Sequence, residues 1–343
     1  MLHENKQGMP LVSVIIPTYN YALYIGDAIE SVLRQDYPKT QIEIIVYDDG
    51  SVDNTKSIVS NYKDSCNIRY YFQKNKGKAY ATQQAITLCN GNYIFNLDAD
   101  DYYLPDKISK TVAVFESDKN IVHVASAATL VNRIGAVISK EKISKAVLNK
   151  PINGTELLHY FLSENILFGG GSTYAARSSV LKKINIPAEI DMYIDEFLLY
   201  AVLLHGKSFF IENSLSIWRV HGNNFSVLQS SQQRNIARQE RSIGSSAILL
   251  KYLNENNFSN YIVRVYAIKH ANREMAFKES LGTKNISDIL KYLIRIIKLK
   301  PSPKIVKRYN IFNRLMPLKL LNGLKYLKGY KKARMDNLPA ISE

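Results

Sequence analysis

The sequence predicts an α/β fold, a doubly wound mixed sheet followed by a helical C-terminal extension. Short apolar segments alternate with amphipathic helical patterns over the first hundred residues. Acidic or polar residues directly follow these apolar segments, at the carboxyl ends of strands where such sheets bind ligands. The chain of 343 residues is 46% hydrophobic, so it can bury the core of one large domain and an extension.

The first predicted strand and helix open the fold. Residues 11–16 (LVSVII) form a continuous run rich in β-branched residues, which is typical of a strand buried on both faces. The polar break Pro17-Thr18-Tyr19 ends this strand. Apolar residues then recur at helical spacing over residues 25–33, which predicts a helix that packs on the sheet.

The next two strands repeat this arrangement. Residues 42–47 (IEIIVY) run directly into Asp48 and Asp49, and a third strand is predicted at 68–72. A lysine-rich turn that ends at Lys78 precedes the following helix. Neither a G-x-G-x-x-G nor a G-x-x-x-x-G-K-[ST] pattern is present, so a glycine-rich dinucleotide or P-loop site is not expected.

The fourth strand, residues 93–97, ends in the acids Asp98, Asp100 and Asp101. Clustered carboxylates repel one another unless a cation or a hydrogen-bond network offsets their charge. Hard oxygen ligands at this spacing suit Mg²⁺ or Mn²⁺ with a phosphorylated ligand. The alternative is an Asp-rich turn whose acids cap the next helix.

These segments resemble a known family. VSVIIPTYN, IIVYDDGSVDNT, the turn around Gly77 and YIFNLDADD are similar to successive motifs of the family 2 glycosyltransferases, in the same order. Members of that family are inverting, metal-dependent enzymes with a GT-A (Rossmann-like) fold that use nucleotide-diphosphate sugars. The resemblance runs over about residues 11–226 and implies a catalytic domain at 1–226, followed by a basic, mainly helical region at 227–343.

The resemblance also implies roles for the first set of residues. Asp49 would accept a hydrogen bond from the nucleotide base, with Asp48 beside it, and Asp98 would lie near the ribose. Asp100 would bind the metal, and Asp101 would orient the donor sugar or assist the metal. Further donor contacts are expected from Pro17, Thr18, Tyr19 and Lys78.

Later segments complete the implied site. The glycine run that contains Gly170 and Gly171 would face the donor sugar, although a flexible hinge is an alternative. Asp195 would be the general base; the order Asp-Glu, where the family often has Glu-Asp, leaves Glu196 open as the base. Arg219 would contact the diphosphate and His221 the metal, although a surface turn is equally compatible with this segment.

The sequence therefore predicts an inverting glycosyltransferase that uses Mg²⁺ or Mn²⁺ and a nucleotide-diphosphate sugar, with UDP expected. The acceptor would be a hydroxyl of a glycan or lipid-linked molecule in surface polysaccharide synthesis. A metal-dependent nucleotidyltransferase is the rival enzyme, but it would need a basic glycine-rich loop near the first strand, where this chain has none.

The positive charge lies in the C-terminal third. Residues 231–343 hold 23 Lys and Arg against 7 Asp and Glu. Basic amphipathic helices are predicted at 288–300 and 310–332, and they would either lie on an anionic membrane surface or pack with a solvated basic face. Nucleic-acid binding is a weaker alternative because the tail lacks a recognition motif.

We also expect a cytoplasmic location, with a peripheral position at the inner membrane face left open. The N-terminal residues lack a signal pattern, and every apolar run is shorter than the roughly 18 residues that a membrane span needs.

Overall fold

A computed structural model describes residues 8–65, 67–221, 224 and 232–316. The chain divides into two compact units, Met1–Phe161 with Ile166–Gln229, and Leu162–Asn165 with Ser230–Glu343. The predicted domain boundary at residue 226 stays a prediction, because the residues on both sides of it lie outside the described ranges.

The first unit is built on one mixed sheet, with strand order β3-β2-β1-β4-β9-β6-β10-β5. Strands β1 to β4 pair in parallel, β9 is antiparallel to both β4 and β6, and β7 and β8 pair at the side with β6 and β10. The strands are β1 Val12–Thr18, β2 Ile42–Asp48, β3 Asn67–Phe72, β4 Tyr93–Asn96, β5 Tyr102–Tyr103, β6 Ile121–Asn132, β7 Val137–Lys140, β8 Pro151–Asn153, β9 Tyr174–Arg177 and β10 Lys207–Val220.

Strand register brings the polar strand ends to one edge of this sheet. All seven residues of β1 are buried, as its β-branched run predicts. Thr18 at the end of β1 is aligned with Asp48 of β2, and Asp48 is aligned with Phe72 of β3. The loops that follow β1, β2 and β4 therefore share the carboxyl edge, and the predicted mixed α/β sheet is confirmed.

Helices cover the sheet of the first unit. The apolar positions predicted in the first helix, such as Ile25, Ile29 and Val32, are buried against the strands. The helices are α1 Ile25–Leu33, α2 Thr55–Ser60, α3 Lys78–Leu88, α4 Lys107–Ser117, α5 Gly154–Glu164, α6 Ser178–Leu181 and α7 Ile194–Leu203. The last residues of α5 belong to the second unit.

The second unit is helical, as predicted for the C-terminal region. Its helices are α8 Gln232–Glu255, α9 Asn260–Ser280, α10 Ile286–Leu299, α11 Pro303–Arg308 and α12 Ile311–Leu315. The prediction of one helix over 310–332 was wrong: α12 begins near the expected residue but ends at Leu315, and Met316 is extended because it precedes Pro317. Residues 317–332 lie outside the described part of the chain. Across the described residues, each helix is too short or too polar to cross a membrane.

Candidate active site

Three carboxylates converge after β4. One oxygen atom from each of Asp98, Asp100 and Asp101 lies within 4.8 Å of the others. Asp100 and Asp101 are buried, whereas Asp98 is partly exposed. Burial and the neighbouring carboxylates of Asp100 and Asp98 raise the pKa of Asp101 well above its usual range. This crowding of negative charge suits a divalent cation, which prefers carboxylate oxygen ligands.

Ser172 holds two of these acids in place. Its hydroxyl accepts a hydrogen bond from the Asp98 backbone N–H at 3.0 Å and donates to Asp101 Oδ2 at 2.6 Å. The other oxygen of Asp101 accepts from the backbone N–H of Arg219 at 3.0 Å. The loop with Ser172 and the end of β10 at Arg219, which are about 70 and 120 residues away in the chain, therefore both hydrogen-bond to Asp101.

The residues after β10 reach the same cluster. His221 Nε2 lies 3.1 Å from Asp100 Oδ2, and the Asn224 side-chain amide donates to the same oxygen at 3.1 Å. The His221 ring stacks on Tyr24, with centroids 4.6 Å apart. His221 thus lies beside the predicted metal ligand Asp100, and its contact with a metal stays a prediction.

The guanidinium of Arg219 points elsewhere. It pairs with Asp27 at 2.8 Å and lies over the rings of Tyr24 and Tyr102, at 4.9 and 5.3 Å from their centroids. Only the backbone of Arg219 contacts the acid cluster. The predicted contact between this guanidinium and a diphosphate therefore requires the ion pair with Asp27 to open, and it stays a prediction.

Lys78 supplies a positive charge at the cluster. Its ammonium, at the first residue of α3, lies 2.8 Å from Asp98 Oδ1. Burial disfavours the charged form, but Asp98 and Asp100 outweigh this effect and raise the pKa of Lys78 above its usual value. Lys78 therefore stays positive at neutral pH, close to where a phosphate would meet the acids.

Two buried side chains anchor the glycine loop. His123 is 1% exposed; its Nε2–H donates to the Gly169 carbonyl at 3.0 Å, and its Nδ1 accepts from the Ser208 hydroxyl at 2.8 Å. Lys107, also 1% exposed, donates to the Thr173 carbonyl at the other end of the loop. His123 is therefore a core histidine with both ring nitrogens hydrogen-bonded, and it also holds the loop in place.

Asp195 lies against this loop, in the first turn of α7. A Cβ atom added at Gly170 would lie 2.6 Å from Asp195 Oδ2, so only glycine leaves room for the carboxylate there. Burial raises the pKa of Asp195; Lys78 opposes the shift and Asp98 adds to it. Its neighbour Glu196 is 3% exposed, whereas Asp195 is partly accessible.

The ends of β1 and β2 form a second polar cluster. Asp48 accepts from the Ser51 N–H at 2.7 Å and from the Tyr70 hydroxyl at 2.6 Å, so both its oxygens support the fold. The Thr18 hydroxyl is buried, and no hydrogen-bond partner for it is found among the described residues. Pro17 aligns with Tyr47 in the sheet, and Tyr19 beyond them is 45% exposed.

Asp49 organises the turn before α3. Its carboxylate accepts from the Gln73 side chain at 2.6 Å and from the backbone N–H groups of Lys76 and Gly77, both at 2.8 Å. A carboxylate offers about four acceptor positions, so one remains for a nucleotide base. The expected base contact is compatible with this geometry but is not tested by it.

Sequence reasoning missed several residues that hold the acid cluster or the glycine loop in place. Ser172, Lys107 and Asn224 were not predicted, although Ser172 directly follows the glycine run. Lys107 falls on the face of α4 that also carries Thr111 and Phe115, both buried. A lysine on the apolar face of a helix is a signal of a buried, partnered cation that could have been read from the sequence.

Comparison with protein families decides the assignment. Residues 13–184, about half of the chain, match the family described as Glycosyl transferase family 2. The chain belongs to glycosyl transferase family 2. This result confirms the resemblance seen in the sequence motifs and favours a glycosyltransferase over a nucleotidyltransferase.

Curated relatives include both glycosyltransferases and polysaccharide synthases. An uncharacterised glycosyltransferase of Nostoc sp. is 29% identical over 68% of this chain and 72% of that protein. The chondroitin synthase of Pasteurella multocida is 27% identical over 93% of this chain, but this covers only 31% of that synthase. The chain therefore spans about a third of the length of that larger relative.

Solved structures support the GT-A fold. S. aureus TarS 1-349 in complex with UDP has a TM-score of 0.58 and 20% identity, covering 93% of this chain and 87% of that chain. Mannosyltransferase PcManGT from Pyrobaculum calidifontis, in complex with GDP-Man and Mn²⁺, has a TM-score of 0.56 and 16% identity, covering 92% and 88%. At these identities the likeness establishes the fold alone.

Proposed function

We propose that this chain is an inverting glycosyltransferase that moves a sugar from a UDP-linked donor to a hydroxyl of a glycan or lipid-linked acceptor. The observation that carries the proposal is the convergence of three carboxylates with Lys78 and Asp195 around one glycine loop. Relatives named chondroitin synthase favour surface polysaccharide as the product, and the UDP complex of TarS favours UDP as the nucleotide. The catalytic domain would be residues 1–226, with 227–343 as a basic appendage.

The acid cluster fits Mg²⁺ or Mn²⁺. Asp100 would be the main ligand, with His221 and Asp101 beside it. Burial, and then the neighbouring carboxylates, raise the pKa of Asp101, and a cation would relieve the second of these effects. When bound, the cation would act as a Lewis acid that neutralises charge on the departing diphosphate. Lys78 would add a fixed positive charge next to Asp98.

The donor would lie along the carboxyl edge of the sheet. The Thr18 hydroxyl, for which the described residues supply no hydrogen-bond partner, and the remaining acceptor position of Asp49 support a base site between the loops after β1 and β2. Gly170 and Gly171 would let the sugar approach the backbone closely, since neither carries a side chain. Pro17 and Tyr19 would border the base, and Arg219 would reach the diphosphate after leaving Asp27.

Asp195 would act as the general base. Its carboxylate would take the proton of the acceptor hydroxyl while the hydroxyl oxygen bonds to the anomeric carbon. The bond between that carbon and the diphosphate oxygen breaks on the opposite face, so an α-linked donor gives a β-linked product. A raised pKa favours this role because it makes the carboxylate a stronger base. Its partial exposure and its contact with the glycine loop favour Asp195 over the buried Glu196.

Calorimetric titration of UDP tests the nucleotide and metal site. We expect binding in the presence of Mn²⁺, loss of binding with EDTA, and loss in Asp100→Ala. Asp106→Ala is the matched control, since Asp106 is a nearby acid that pairs with Lys110 outside the cluster. Donors would then be screened by UDP release from UDP-sugars.

Two results would overturn the proposal. One is the absence of binding for UDP, GDP and dTDP in the presence of either metal. The other is an equal loss of UDP binding in Asp106→Ala and Asp100→Ala, which would show a general loss of structure instead of a lost ligand.

A further inference from the structure

Helix α10 buries one side that carries Asp288, Tyr292 and Ile296. Asp288 pairs with Lys278 of α9, and Arg295 Nη1 lies 2.6 Å from Glu274 Oε2, also on α9. These two ion pairs therefore help to hold this side of α10 against α9.

The opposite side of α10 is apolar and exposed. Four aliphatic side chains there are each more than half exposed, and we call them the α10 stripe: Ile286 (72%), Leu290 (52%), Ile294 (53%) and Ile297 (63%). Their spacing of four, four and three residues aligns them on one helix face. Single exposed aliphatic residues are ordinary, but a continuous stripe marks an interaction surface.

Positive charge surrounds this stripe. Lys291 and Lys298 are exposed beside it, and Lys300 ends the helix. Residues 284–308 hold eight Lys and Arg against one acid, and four of the eight pair with glutamates outside this range. The charge beside the stripe therefore comes from Lys291, Lys298 and Lys300. The helix is also well defined, because Asn285 and Asp288 form a capping box at its start.

We propose that the α10 stripe docks on an anionic lipid surface, with the helix lying in the plane of the interface. Apolar side chains flanked by lysines match both layers of such a surface, the acyl boundary and the negative headgroups. A second copy of the chain is a less suitable partner for the stripe, because it would bring the same positive flanks together. Residues 317–343 are also less suitable, because they hold six Lys and Arg against two acids and would add positive charge to a positive surface.

The test is co-sedimentation of the full chain with vesicles of phosphatidylcholine, with and without phosphatidylglycerol. We expect binding to the anionic vesicles that weakens with salt. Leu290→Ser/Ile294→Ser should weaken it at least about tenfold, because about 0.8 kcal/mol is lost per buried methylene. Lys291→Gln/Lys298→Gln should weaken it about thirtyfold, at about 1 kcal/mol per lysine.

A matched variant distinguishes binding through the α10 stripe from non-specific binding through any exposed apolar residues. Val137→Ser/Ile138→Ser removes two aliphatic side chains of similar exposure, 63% and 55%, from strand β7 of the first unit, and should bind vesicles like the wild type. All variants should keep the wild-type circular dichroism spectrum and melting temperature. Wild-type vesicle binding in both α10 variants would overturn the proposal, because another part of the chain would then be responsible.

Sedimentation velocity without lipid tests whether a second copy of the chain binds the stripe instead. A wild-type dimer that becomes monomeric in Leu290→Ser/Ile294→Ser would show that the stripe binds a second copy, and it would also overturn the lipid assignment. A monomer in both forms, together with the vesicle results above, supports it. These measurements use neither donor nor metal, so their outcome is independent of the proposed catalytic function.

Discussion

Substitution of Gly170 by alanine should displace the proposed base. Gly170 has φ −110° and ψ −171°, an extended conformation that any residue adopts, so backbone strain is not expected. The new Cβ would lie 2.6 Å from Asp195 Oδ2 and 2.9 Å from Asp195 Cβ. An ordinary contact needs about 3.5 Å, so the carboxylate must move by about 1 Å, and rotation of the side chain alone does not relieve the contact with its Cβ.

A displacement of this size has a large expected effect on turnover. Misplacing a catalytic group by about 1 Å costs about 100-fold, or about 2.7 kcal/mol in the barrier. We expect that loss in UDP release at saturating donor, with the calorimetric affinity for UDP and Mn²⁺ unchanged within about threefold. The double variant Gly170→Ala/Asp195→Ala should be no slower than Asp195→Ala, since both changes remove the same group.

The adjacent glycine provides the control. Gly171 has φ +53°, and its added Cβ would meet only Asp98 Oδ2, at 3.9 Å. Gly171→Ala should therefore cost about 1–2 kcal/mol of stability through its left-handed backbone, with a smaller loss of turnover. Wild-type turnover in Gly170→Ala, or a joint loss of turnover and UDP binding in both variants, would contradict the proposed crowding of Asp195.

Three further predictions concern the surroundings of the site. Ser172→Ala removes the hydroxyl that bridges two of the acids, and should weaken Mn²⁺ binding about tenfold by calorimetry; unchanged affinity would contradict the bridging role. Burial lowers the pKa of His123 to about 4, so the unfolded state gains a proton at a higher pH than the folded state. Between pH 7.5 and pH 4, the unfolding free energy of the wild type should therefore fall by about 3 kcal/mol more than that of His123→Gln. Urea unfolding at both pH values measures this, and parallel pH profiles would count against it. Arg69→Met removes the guanidinium that lies 2.7 Å from the carboxylate of Glu43, which is 1% exposed, and should lower the unfolding free energy by about 3 kcal/mol. The double variant Arg69→Met/Glu43→Gln should recover part of this loss, because it also removes the unpaired buried charge. The absence of any recovery would show that packing explains the loss.

The sequence determined the parts of this protein that depend on nearby residues. Buried strands follow from runs such as 11–16, because only apolar β-branched residues suit a strand covered on both faces. The acids at Asp98, Asp100 and Asp101 were visible because they lie within four residues at one strand end. The motif order was sufficient to predict the family.

Only the tertiary structure decided which distant groups meet. Ser172 reaches Asp101 across 71 residues, and nothing local to either residue encodes that contact. Helical periodicity likewise places apolar residues on more than one side of α10, but it does not say which of them pack. Tyr292 and Ile296 are buried on the side where Asp288 and Arg295 pair with α9, whereas the α10 stripe stays exposed.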